Sequence, residues 1–67
     1  MRYATKAEWA EAKAADCAEQ ARLVLRDIRS EPYSARQWAH RNDAHLRYLV
    51  DEGRFRRMAA AYRARGV

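Results

Sequence analysis

Cysteine, proline and glycine are almost missing from this chain, at one, one and two residues in 67, and each scarcity closes off a class of protein. A single cysteine, Cys17, cannot make an internal disulfide, so the fold is not a cystine-framed scaffold and a reducing, cytoplasmic setting is expected. Two glycines leave no loop that could cradle a phosphate group. No apolar run approaches the length of a membrane span, and no signal-peptide pattern opens the chain, so no membrane partner is expected. The two histidines, His40 and His45, stand five apart and fall on different helix faces, unlike the i, i+4 pair that grips a metal ion. No Ser/His/Asp constellation or pair of carboxylates stands out, and the chain is too short to enclose a pocket. Neither catalysis nor a metal, a cofactor or a small-molecule substrate is therefore expected.

Bulky apolar residues are scarce as well. Leu, Ile, Val, Met, Phe and Trp together number thirteen, against fifteen alanines. Alanine has the highest helix propensity and loses no side-chain entropy on folding, so helix is easily formed here while burial is limited. At this length a core alone is marginally stable, and one domain, residues 1–67, is the most the chain can build. Such an imbalance is usually made good by a second chain, and a homodimer is expected.

What the sequence does have is a heptad seam. Ala7, Ala10, Ala14, Cys17, Ala21, Val24 and Ile28 recur at spacings of three and four, which places them on one face of a helix. Thr5 and Glu8 make a T-x-x-E start, and the pattern runs to about residue 29 over roughly 36 Å. Cys17 lies in this seam, where a small buried hydrophobe is expected rather than a reactive thiol. Pro32 then blocks the helix, and Ser34 with Gln37 restarts it, Tyr33 and Trp38 standing where a hydrophobic staple would hold the turn. So short a connection implies antiparallel neighbours.

The second helix is expected over 35–52, with Ala35, Trp38, Ala39, Leu46, Leu49 and Val50 turned inward, large residues against the alanines of the first helix. Asn42 falls within that face, where a buried amide selects register and oligomeric state. Gly53 is read as a stop, with an amphipathic third segment over about 54–65; the alternative is that the helix runs on through it. The fold expected is all-α: an antiparallel helical hairpin, 6–29 and 35–52, with 54–65 as a short third helix or a continuation, dimerising into a helical bundle. Its interface and core comprise Ala10, Ala14, Cys17, Ala21, Val24, Ile28, Trp38, Asn42, Leu46 and Leu49.

Charge points to the surfaces left for a partner. The net charge of +5 comes from the second half, where eight arginines face only Asp43, Asp51 and Glu52. Arginine suits bidentate contact with carboxylate or phosphate. Trp9 and Leu23 project from the charged side of the first helix and would be exposed on a lone hairpin. With Tyr48, Arg54, Arg56, Arg57 and Arg63 they make the candidate partner-binding set, aromatic residues giving desolvated area and arginines finding acidic groups.

The hairpin architecture resembles the Rop family of plasmid RNA-binding dimers; the likeness covers the hairpin and carries no residue motif. The run Gly53-Arg54-Phe55-x-x-Met58-x-x-x-Tyr62 looks like the second helix of a tetratricopeptide repeat, although the Trp, Leu and Gly of that repeat's first helix are missing. A helix-turn-helix reading would make 54–65 the recognition helix, with Leu49 where that motif normally has alanine. None of these defines a family. The function expected is that of a small, non-catalytic regulatory protein, a homodimer that binds an acidic protein and modulates or inhibits it. Phage and plasmid regulators of host transcription factors or defence complexes offer the analogy of size and style. The alternative is an RNA- or DNA-binding dimer whose arginines contact phosphates.

Overall fold

The computed structural model describes residues 3–67, and among them two helices hold 86% of the residues and no strand occurs. The first, α1, is Lys6–Ser30, and the second, α2, is Ala35–Arg65. Each starts at a side-chain cap. Thr5 Oγ1 accepts from the Glu8 N–H at 3.1 Å, while Glu8 reaches one residue further back than a reciprocal box requires and accepts from the Ala4 N–H at 2.8 Å. At Ser34 the box is complete: its hydroxyl accepts from the Gln37 N–H at 3.3 Å, and the Gln37 amide accepts from the Ser34 N–H at 3.0 Å.

The four-residue connection is closed from the α1 side. The Tyr33 hydroxyl donates to Asp27 at 2.8 Å, and the Arg41 guanidinium lies 4.1 Å over the Tyr33 ring. Trp38, expected to staple onto Tyr33, stays half exposed. At the far end Gly66 takes φ 74°, the left-handed cap conformation. The Val67 N–H then donates to the Tyr62 carbonyl at 2.9 Å, and the Val67 carbonyl accepts from the Ala7 N–H at 3.3 Å. Both ends of the hairpin are thus tied.

The break at Gly53 does not occur. An interior glycine costs only about 1 kcal/mol against alanine. Ion pairs straddle it, Asp51 to Arg54 at 3.6 Å and Glu52 to Arg56 at 2.6 Å, and α1 supports α2 on both sides of it. Continuation, not a third helix, is what the chain adopts, and α2 accounts for most of the 48 Å long axis.

Continuity decides which face of α2 turns inward. The contacts run antiparallel: Lys6 Nζ lies 5.9 Å from the Tyr62 ring, Trp9 meets Phe55 edge to face with centroids 5.8 Å apart, Glu11 pairs with Arg63, and His45 Nδ1 donates to the Ala21 carbonyl at 3.0 Å. The residues facing α1 are therefore Arg41, His45, Tyr48, Glu52, Phe55, Ala59 and Tyr62, a repeat of four and three in which every member is half-buried or buried. The inward face expected over 35–52 is overturned. Ala35, Trp38, Ala39, Leu46, Leu49 and Val50 are all exposed. One unbroken helix must follow a single seam from end to end. Phe55, Ala59 and Tyr62 fix that seam in the second half, and carrying it back passes through Tyr48 and His45, not Trp38 and Leu49.

On α1 the seam stands as read. Ala7, Ala10, Ala14 and Ala21 are buried, and Cys17, Val24 and Ile28 are half-buried. With Ala59 these alanines are the buried core, and no side chain larger than alanine is fully enclosed among the described residues. No helix is long and apolar enough to cross a membrane.

Candidate partner-binding surfaces

The methyl-lined seam and the aromatic seam close on each other, so the apolar residues that matter for partners are those left outside. Along the back of α2, Trp38, Leu46, Leu49 and Val50 keep 49, 49, 42 and 63% of their surface exposed. With half-buried Asn42 they form one stripe at helical spacing. Leu46 and Val50 line a shallow open groove together with Asp43, Arg47 and Asp51. A continuous apolar strip of this kind is a candidate interaction surface, whereas single exposed leucines would need no explanation.

Area and shape agree. A compact monomer of 7.9 kDa exposes about 4,400 Å², so the 5269 Å² of this hairpin is about 850 Å² in excess. The Cα radius of gyration is 15.0 Å, against about 11 Å for a compact domain of this length.

The partner-binding set is spread over several faces. Trp9 and Leu23 are 36 and 37% exposed, as a lone hairpin requires, and Trp9 is braced by Phe55 in the C-terminal half of α2. Leu23 lies two heptads, about 21 Å, further along α1 than Trp9, so the two do not form one patch with the arginines of α2. Tyr48 is half-buried in the seam facing α1 and shows an edge to a groove with Ala44, Arg47 and Asp51. Of the four arginines, three are engaged within the chain: Arg54 with Asp51, Arg56 with Glu52, and Arg63 with Glu11. Arg57 enters no ion pair among the described residues. These pairs are exposed and screened, so they reduce the arginines' availability more than they stabilise the fold.

The polar groups inside the hairpin are satisfied in part. His45 spends its Nδ1–H on the backbone of α1, which fixes its tautomer and ties mid-α2 to mid-α1. Burial, with Asp51, Asp16 and Glu52 nearby, pushes the Cys17 thiol above its ordinary 9.0, the opposite of what an activated nucleophile needs. Arg41 Nε is buried without a hydrogen bond, although Asp27 lies 3.4 Å away. No cluster of metal-ligating side chains occurs among the described residues.

Gly53 and Val50 were not singled out as partner residues from sequence. For Gly53 the signal is the heptad track 42, 46, 49, 53 and 60, visible once the helix is allowed to run through the glycine, and Val50 lies beside it, one turn on from Leu46. Compared with known protein families, with curated proteins and with solved structures, the chain matches none.

Proposed function

We propose that the chain is a non-catalytic interaction protein, a helical-hairpin homodimer that docks on an acidic protein surface and modulates its target. One observation carries the reading: among the described residues nothing larger than alanine is fully enclosed, while Trp38, Leu46, Leu49 and Val50 stand exposed in a row. Burying that row against a sibling copy supplies the core that the alanine seam lacks. The elongated hairpin exposes about 850 Å² more than a compact monomer of its mass, and a standard interface takes up roughly 800 Å² of each partner. Dimerisation through the back of α2 leaves Trp9 and Leu23 outside it, on α1, as apolar contacts for a target. Arg57 and the other cations of α2 then find its carboxylates.

A protein target is favoured over nucleic acid because the arginines of the second half are interleaved with and paired to acids. Arg54, Arg56 and Arg63 each hold a carboxylate already. A phosphate-tracking surface would present them free.

The test has two stages. Sedimentation equilibrium should give twice the chain mass at micromolar concentration. Immobilised dimer should then retain a protein from host lysate after nuclease treatment, and Leu23→Asp, on α1 and away from the dimer stripe, should weaken retention without changing the dimer mass. Retention of nucleic acid alone, with a steep log-linear salt dependence across unrelated sequences, would replace the protein reading by the phosphate one. A dimer that retains nothing would leave a purely structural role.

A further inference from the structure

We infer that the two α2 stripes meet antiparallel, about a two-fold axis at the level of residue 51, with Leu49 of one copy seated on Gly53 of the other. The inference rests on the homodimer proposed above and specifies its geometry.

The stripe is graded in size along its length. Its N-terminal half carries Trp38, Asn42, Leu46 and Leu49, and its C-terminal half continues with Gly53, Ala60 and Ala64, interrupted by Arg56. An isologous interface pairs residue i with j and j with i. About an axis at the level of residue 51, Leu49 falls opposite Gly53, Asn42 opposite Ala60 and Trp38 opposite Ala64, so large covers small at three of the four pairs, the fourth being Leu46 opposite Arg56. A parallel arrangement would set leucine on leucine at one end and glycine or alanine on its own kind at the other, crowding one half and leaving voids in the next.

Gly53 supports this independently. It lies inside a continuous α2 with helical φ, where glycine is costlier than alanine. A Cβ built there would meet only the far end of the Arg57 side chain, at an ordinary 3.4 Å. Nothing within the hairpin calls for the missing side chain. Close approach of another chain does.

Charge also fits. In this register Arg56 lies opposite Leu46, and its guanidinium is turned along its own helix onto Glu52, with bonds of 2.9 and 2.6 Å. What it offers the other copy is a neutralised pair and an apolar stem. Antiparallel α2 helices also set their dipoles in opposite directions, the N-terminus of one beside the C-terminus of the other.

Cross-linking decides the matter. In a Cys17→Ala background, Asn42→Cys and Ala60→Cys chains are prepared separately and mixed under mild oxidation. Positions 42 and 60 are about 27 Å apart along one helix, so one arrangement cannot imitate the other. The mixed 42–60 disulfide is expected between copies, and the 42–42 disulfide is not. Separately, Gly53→Leu should keep or raise helicity by circular dichroism while weakening the dimer about tenfold or more. A dimer giving 42–42 links, or no mixed link, or one indifferent to Gly53→Leu, overturns the antiparallel register and leaves the dimer standing. A monomeric mass at every concentration overturns both.

Discussion

The closed seam between the helices and the open stripe on the back of α2 are built from opposite materials. The seam is sealed at close approach by Ala7, Ala10, Ala14, Ala21 and Ala59, with aromatic rings laid along its edges. The stripe holds Trp38 and three aliphatic residues, none of which is covered. Alanine permits close packing but removes little apolar area, so a hairpin of this kind holds its shape through helix propensity, caps and edge contacts more than through a core. The larger apolar contribution is held where one chain cannot use it. Folding and association are therefore expected to be one process.

The sharpest way to break this contrast is to make the stripe polar. The double variant Leu46→Asp/Leu49→Asp touches nothing in the seam, and it should abolish the dimer and remove most of the cooperative melt, read by sedimentation and by circular dichroism. A variant that stays monomeric yet melts as sharply as the parent would mean that the seam alone holds the fold.

Filling the seam should cost less but act on the hairpin itself. Ala14 is fully enclosed, and Ala14→Leu forces the helices apart, an overpacking penalty of about 1–3 kcal/mol. Urea titration of the variant against the parent measures it. Smaller still is Ser34→Ala, which removes the cap at the start of α2 and should cost about 1 kcal/mol in the same titration.

The smallest effect concerns Cys17. Its thiol keeps its proton to higher pH in the folded chain than the ordinary 9.0 of an unfolded one. The folded state thus binds more protons over that interval. Its contribution is complete below the unfolded value and is lost as pH rises through the folded one. Stability should fall slightly above about pH 9.0 in the parent and not in Cys17→Ala. Alkylation of Cys17 at neutral pH should be slower in the native protein than in urea.

How far the sequence could be read follows the range of the interactions involved. The caps at Thr5 and Ser34, the stop at Pro32 and the alanine seam of α1 depend on residues within a few positions of each other, and all were legible. The inward face of α2 was not, because two heptad tracks compete there. One runs through Asn42, Leu46 and Leu49, the other through His45, Tyr48 and Phe55, and only the second continues with aromatic residues, Phe55 and Tyr62, in the C-terminal half. Taking Gly53 as a stop hid that continuation, so the misplaced break and the misplaced face are one error. The candidate surfaces were legible as unplaced residues, Trp9 and Leu23 above all. The intrachain pairing of Arg54 and Arg56 was only partly legible, and that of Arg63 with Glu11 needed the fold, being 52 residues apart.

The central claim is that a single hairpin is incomplete and a second copy finishes it. Its most direct test is the melting temperature measured over a hundredfold range of protein concentration. Because association stabilises the folded state by mass action, Tm should climb steadily with concentration. A Tm that holds constant across the range, with a sharp two-state transition of the lone chain, would contradict it.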